Sequence, residues 1–347
     1  MQVLVTGANG FIGNVLVKTL LEQGYQVKAM VRKSSDLRSL EGLDVELVYG
    51  DILEKESLKN PVAGCKWVFH VAGIFSYWGH KEEELTDKAR SGMQNMMEVA
   101  AEAKVKRFIL TSSSVTLGAS NEKKVLSEMQ PGLISEDIPY IQSKVEQEKR
   151  ALELAGKYNL DLVIVNPCLT VGGPDYGLTE SNRMIVNYLK DPMKSSWIGG
   201  CNIVSVEDVA KGHILAAEKG RGGERYLLGS ENLEWKEVHT LLSELCSLPG
   251  PYMVAYHTSA FLASAVNELV SFFTRKAPAS SIVQAKMVGQ YYWYDHGKIA
   301  ELGYQPQSAR EALVKTISWL AGSEHISPAL RAEIELSKEI QNYRHGF

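Results

Sequence analysis

The chain has 347 residues, 45% of them hydrophobic, with 37 Lys plus Arg against 41 Asp plus Glu for a net charge of −4. This is the composition of an ordinary globular protein of one large or two linked units, and nothing in it calls for nucleic acid or an acidic membrane surface as partner. The four cysteines, Cys65, Cys168, Cys201 and Cys246, have no CxxC spacing and the histidines no HExxH, so neither a disulfide frame nor a metal site is expected. A strand that begins at residue 2 leaves no room for a leader, and the longest apolar stretch, Ala260 to Phe273, is broken by Asn267 and Glu268. A cytoplasmic protein without a transmembrane segment is the expectation.

Gln2 to Thr6 reads as a buried strand. Gly7, Gly10 and Gly13 follow at three-residue spacing, and Val15, Leu16, Thr19 and Leu20 continue as a helix. A strand, a tight glycine turn and a helix start together make a cradle for a pyrophosphate. Glycines let the backbone approach, and the helix end offers free N–H groups. Asn9, Phe11 and Ile12 lie in the same turn. Tyr25 to Val31 is the second strand. It ends in Arg32 and Lys33 where an NAD-specific site carries a carboxylate, which favours NADP(H) over NAD(H). Val45 to Tyr49 is the third strand, followed by Gly50-Asp51-Ile52. Asp51 can accept from an adenine amino group or cap the next helix, and Ile52 can pack on the ring.

Trp67 to Val71 is an apolar fourth strand, and the small Ala72 and Gly73 leave room for a cofactor beside Val71. The aromatic loop Ile74 to Lys81, with Phe75, Tyr77 and Trp78, is placed to meet substrate. Glu82 to Ala103 is a helix whose Met93, Met96 and Met97 read as core. Arg107 to Thr111 is the fifth strand and runs into Ser112, Ser113 and Ser114. After a polar insertion over 119–139, Tyr140 and Lys144 share one face of a helix. An ammonium near a phenol favours the phenolate, so Tyr140 suits a general acid or base. Lys144 can hold ribose hydroxyls, and Ser113 a carbonyl oxygen as it becomes an alkoxide. Thr111 completes the cofactor side.

With these motifs in hand, the sequence resembles the extended short-chain dehydrogenase/reductase family. The matching residues are Thr6-Gly7-Ala8-Asn9-Gly10-Phe11-Ile12-Gly13, Gly50-Asp51-Ile52, Phe69-His70-Val71-Ala72-Gly73, Thr111 to Ser114, Tyr140 to Lys144, Asn166-Pro167-Cys168, Val204 to Ala210 and Gly303-Tyr304-Gln305-Pro306. The branch it is most similar to holds dihydroflavonol 4-reductases, cinnamoyl-CoA reductases and 3β-hydroxysteroid dehydrogenases. The resemblance implies a Rossmann-type α/β fold, a doubly wound parallel sheet with a smaller C-terminal substrate lobe. It assigns the catalytic serine to Ser113, with Ser114 beside it near substrate, and a nicotinamide contact to Pro167, Cys168, Leu169 and Thr170. The chain departs from many members in having Ala89-Arg90-Ser91-Gly92-Met93 where they carry an Asn three residues before the glycine; Asn95 sits elsewhere on that helix. Leu117-Gly118-Ala119 is less polar than in plant flavonoid reductases.

In the C-terminal half, Leu160 to Val165 is a sixth strand, and Asn166 to Val171 leaves the sheet as a loop. Gly172 to Gly177 opens the lobe, where Tyr176, Met184, Trp197 and Ile198 are pocket candidates. Ser205 caps a helix, with Asp208 as a structural partner. Strands at Ile203 to Val206 and Glu224 to Leu228 and a helix at Trp235 to Cys246 follow. Ser259 to Phe273 is a hydrophobic helix, ordinarily core or dimer contact, with a substrate gate or weak membrane docking as the sharper alternative. The expected division is a mainly nucleotide-binding part over 1–170 with elements from 200–230, a substrate lobe over 171–199 and 231–322, and a helical tail over 323–347. The expected activity is interconversion of a carbonyl and an alcohol on a moderately apolar small molecule by an enzyme able to dimerise. A nucleotide-sugar epimerase or dehydratase, with Arg183 and Lys194 gripping a diphosphate, is the second reading, and a non-catalytic dinucleotide-binding scaffold the third.

Overall fold

The computed structural model describes residues 1–73, 82–275 and 280–345. The strands of the main sheet are β1 (Gln2–Thr6), β2 (Gln26–Val31), β3 (Glu46–Tyr49), β4 (Trp67–His70), β5 (Arg107–Thr111) and β6 (Leu162–Pro167). Val3, Leu4 and Val5 are all fully buried, as in a strand covered on both faces. After β6 come β7 (Leu169–Val171), β8 (Ser195–Trp197), β9 (Gly200–Ser205), β10 (Arg225–Leu228), β11 (Glu231–Glu234), β12 (Met253–Ala255) and β13 (Tyr291–Tyr292). Seven strands form one sheet in the order β10-β6-β5-β4-β1-β2-β3, and each of its pairings is parallel. The chain winds outward from β1 to β3, then crosses back to β4. That reversal opens a crevice at the carboxyl ends of β1 and β4, the place where such sheets bind ligands.

Helices cover both faces. They are α1 (Phe11–Glu22), α2 (Lys55–Val62), α3 (Glu82–Glu102), α4 (Pro139–Tyr158), α5 (Glu180–Lys190), α6 (Val206–Lys219) and α7 (Trp235–Leu245), then α8 (His257–Thr274), α9 (Ile282–Ala285), α10 (Gly297–Ala300), α11 (Ala309–Gly322), α12 (Pro328–Glu333) and α13 (Lys338–His345). On one face, Leu16 and Leu20 of α1 and Val209 of α6 pack on Val3, Val5 and Ile109. On the other, Leu58 of α2, Leu154 of α4 and Met93, Met96 and Met97 of α3 pack on Leu4, Val68 and Phe108. All three methionines are fully buried core residues, as their helical spacing predicts.

A second sheet joins β7, β9, β11 and β13, and β8 pairs with β12. Around these, Ile185 and Leu189 of α5, Leu242 of α7 and Leu313 and Leu320 of α11 form a separate core. Two expectations are corrected here. Residues 166–171 are not a loop. β6 runs through Pro167, and Cys168, which has the N–H that proline lacks, donates to Leu228 O at 3.0 Å. Leu169 then pairs at once with Ile203 in the second sheet. The hydrophobic helix α8 exists as expected, yet it is not core: Phe261, Leu262, Val266, Leu269, Val270, Phe272 and Phe273 are all exposed.

Candidate dinucleotide-binding and catalytic site

The glycine turn sits at the crevice. Gly7 has φ +64°, and a Cβ there would lie 2.9 Å from Ala72 Cα, so β1 and the 71–73 segment approach as only glycine allows. A Cβ on Gly13 would lie 2.1 Å from Gly7 O. Gly13→Ala therefore forces the turn open; the expected result is loss of dinucleotide binding in a fluorescence titration and a lower melting temperature. The N-cap of α1 is Gly10, with no side-chain cap bond and no acidic residue in the first turn. The N–H groups of Phe11, Ile12 and Gly13 thus face an open, positive helix end, the donor set a pyrophosphate fits. Asn9 O accepts from Ser39 Oγ at 3.1 Å, and Asn14 Nδ2 donates to Gly10 O at 2.8 Å, which holds the turn's shape.

At the end of β2, Arg32 and Lys33 are exposed, and among the described residues neither side chain has a carboxylate partner. Asp51 Oδ1 accepts from Leu53 N at 2.9 Å in the turn ahead of α2, whose N-cap is Glu54 without a side-chain cap bond, so Asp51 does not cap that helix. Ile52 packs on Gly92, where a Cβ would lie 2.9 Å from Ile52 Cδ1, and Asn95 Nδ2 donates to Ile52 O at 2.9 Å. Asn95 thus fastens the Ile52 loop to α3, a role its sequence position did not suggest.

Ser113, Tyr140 and Lys144 converge. Tyr140 is buried, which pushes its phenol up to about 12, and a hydrogen bond with the Ser113 hydroxyl pulls the other way. Lys144 is buried too, and burial brings its ammonium down to about 8, opposed by the charge of Glu148. Its Nζ donates to Thr111 O at 3.1 Å and Gln147 Oε1 at 3.0 Å. A Cβ on Gly73 would lie 3.5 Å from the same Nζ, so the backbone of 71–73 and the ammonium border one space. Ala72 N donates to Thr6 Oγ1 at 3.1 Å, which ties that segment to β1. The Thr111 hydroxyl has another use: His213 Nδ1 bonds to Val209 O at 2.7 Å, which leaves Nε2 to accept from Thr111 Oγ1 at 2.8 Å. Burial holds His213 neutral, down to about 4, and His70 likewise, down to about 3, with Lys144 adding to the effect at His70.

A buried carboxylate that the sequence reading missed underlies this group. Glu148 Oε1 accepts from Thr116 Oγ1 at 2.8 Å and Asn166 Nδ2 at 2.7 Å, while its Oε2 meets Arg225 at 2.9 Å. Asn166 Nδ2 also donates to Ser113 O at 3.1 Å. The 3-10 turn Ser114–Leu117, α4, β6 and β10 are thereby joined at one charge. The available signal was spacing: Glu148 lies four residues after Lys144, on the same helix face.

The other predicted residues are placed as follows. Ser114 is buried and hydrogen-bonded to the Cys168 thiol, whose acidity burial suppresses. Pro167 ends β6, Thr170 Oγ1 donates to Cys168 O at 3.0 Å, and Leu169 is half-buried in β7. Val71 and Ala72 are half-buried and Gly73 exposed. Tyr176 stacks edge-on against Trp319 with Arg38 over its ring at 5.1 Å. Trp197 packs on Trp235 and His239, and Met184 against the lobe core. Phe75, Tyr77 and Trp78 lie outside the described residues. Ser205 Oγ accepts from Asp208 N at 3.0 Å, and Asp208 Oδ2 accepts from Gln307 N at 2.9 Å, the structural role expected of it.

A glycine cradle at the switch point of a parallel sheet, with a phenol and an ammonium four residues apart beside it, defines a dinucleotide-dependent oxidoreductase of the extended short-chain type. The chain belongs to the NAD dependent epimerase/dehydratase family, whose model matches residues 3–229. It is 33% identical over 328 residues to a Synechocystis sp. protein provisionally named a dihydroflavonol 4-reductase, with 93% of this chain and 95% of that one covered. It is 31% identical to sterol demethylase protein B of Methylococcus capsulatus, covering 92% of this chain and 98% of the relative. Among solved structures, that of gox2253 superposes with a TM-score of 0.82 at 30% identity over 94% of this chain and 99% of the other. The enzyme binds NAD(P). Among its described residues no helix is long and apolar enough to cross a membrane.

Proposed function

We propose that this enzyme is an NADP(H)-dependent reductase or dehydrogenase that interconverts a ketone or aldehyde and an alcohol on a moderately apolar small molecule. The observation that carries this reading is the buried Ser113–Tyr140 hydrogen bond one helical turn from the Lys144 ammonium. Bound NADPH supplies the hydride that forms the new C–H bond. Tyr140, a neutral phenol because burial raises its pKa, gives its proton to the carbonyl oxygen as the C=O π bond breaks and the O–H bond forms. Ser113 donates to the same oxygen while charge develops there. Lys144 stabilises by its charge the phenolate left behind, which regains its proton from solvent, and offers its one remaining N–H to a ribose hydroxyl. Names among the relatives, including cinnamoyl-CoA reductase of Arabidopsis thaliana, support net reduction.

The choice of NADP(H) rests on Arg32 and Lys33, exposed and free of carboxylate partners among the described residues at the end of β2. A guanidinium matches a 2′-phosphate bidentately, so Arg32→Asp is expected to weaken NADPH binding at least about tenfold with little change for NADH. Equal affinity of the unaltered protein for both would overturn the assignment. The epimerase or dehydratase reading needs a cationic grip on a diphosphate. Lys194 is buried, however, with Nζ donating to Leu189 O at 2.8 Å at the end of α5. Net NADPH oxidation with a panel of apolar ketones and aldehydes, and none with nucleotide sugars, is the expected result; the reverse pattern would sink the reductase reading.

A further inference from the structure

Helix α8 is inside-out. Its protein-facing positions are polar: Ser264 bonds to Ser280 at 2.9 Å, Asn267 Nδ2 donates to Ser280 Oγ at 2.9 Å, Glu268 Oε1 accepts from Ile282 N at 2.8 Å, and Ser271 is buried. Its outer face carries Phe261, Leu262, Val266, Leu269, Val270, Phe272 and Phe273, the last two 79% and 75% exposed. Tyr252, Met253 and Tyr256 extend the apolar surface ahead of the helix. A water-facing helix has the opposite arrangement, so this face is made for an apolar medium.

Charge selects the occupant. Between residues 245 and 294 the sequence has one acid, Glu268, against Arg275, Lys276 and Lys286, in a chain whose overall charge is −4. Glu268 is turned inward to Ile282 N, and Lys286 pairs with Asp137. Arg275 is exposed at the end of α8 and has no carboxylate partner among the described residues. A second copy of this surface would bring no acid to meet Arg275, whereas an anionic bilayer offers acyl chains to the phenylalanines and phosphates to the cation. Exposed tyrosines at the other end suit the headgroup level. We infer that α8 lies in the surface of an anionic phospholipid bilayer and seats the enzyme there without crossing it. The layer beneath it reaches the catalytic helix, since Lys286, next to α9, is paired with Asp137, two residues before α4.

The test is co-sedimentation of the full chain with phosphatidylcholine vesicles, with and without phosphatidylglycerol. Binding to the anionic vesicles is expected, weakened by salt and by Arg275→Glu. The exposed double change Phe272→Asp, Phe273→Asp is expected to reduce binding at least about tenfold at an unchanged melting temperature. Absence of vesicle binding, or binding that survives the double change, would overturn the inference. So would a dimer in sedimentation velocity that the double change splits without any lipid binding, which would assign the face to a second copy.

Discussion

Tyr140→Phe is expected to lower turnover by about 100- to 10,000-fold, the range a positioned proton donor contributes, while dinucleotide affinity stays within a few-fold. The change deletes one oxygen from a buried ring and leaves Lys144, the glycine turn and the sheet in place. Retained turnover would remove Tyr140 from the chemistry; lost turnover with intact dinucleotide binding excludes a scaffold. The unaltered enzyme's pH profile carries a second signature. In the reducing direction the phenol must be protonated, and burial keeps it so up to about 12 in the free protein. The first group to fail on raising the pH is Lys144, whose ammonium is lost near 8. Reduction should therefore decline as pH rises through about 8, and alcohol oxidation, whose phenolate the same ammonium stabilises, should not gain over that range. Initial rates in both directions from roughly pH 6 to 10, a span that brackets the loss of the Lys144 ammonium, check this.

Glu148→Ala is expected to destabilise the fold by about 3–5 kcal/mol, the cost of breaking a buried charged network from one side. Asn166 Nδ2 would lose its 2.7 Å acceptor, Thr116 its 2.8 Å acceptor and Arg225 its ion pair. A urea melt measures the loss. The milder Glu148→Gln keeps an oxygen for Asn166 and Thr116 but removes the negative charge that raises the Lys144 ammonium. In that variant the decline in reduction should move to lower pH. An unshifted profile together with full stability would show that Glu148 is an incidental buried acid.

The strands of the main sheet were legible because each is a short apolar run bounded by turn residues, and the pairing of Tyr140 with Lys144 because four residues make one helical turn. Glu148 and Asn166 were not. The first looked like one more charge on a helix, the second a mere neighbour of Pro167, and only the fold brings them to the Ser113 turn. Helix α8 failed differently. Its extent was readable within two residues at its start and one at its end, but its hydrophobicity suggested burial. The polar residues Ser264, Asn267, Glu268 and Ser271 recur at spacings of three, one and three. That pattern marks a polar stripe without saying which stripe faces the protein. Residues 166–171 were misread because a proline after an apolar run signals a turn, whereas Cys168 supplies the missing donor one residue on.

The junction at Asn166 has a kinetic consequence. One amide donates to Ser113 O, Thr116 Oγ1 and Glu148 Oε1, so swinging out the turn that carries Ser113 breaks the Asn166 bonds to Ser113 O and Thr116 Oγ1 and takes from Glu148 its Thr116 donor. Opening this turn is therefore costly, and its amide protons are expected to exchange slowly with solvent. The Ser113 side of the crevice is thus built as the stationary jaw of a vice.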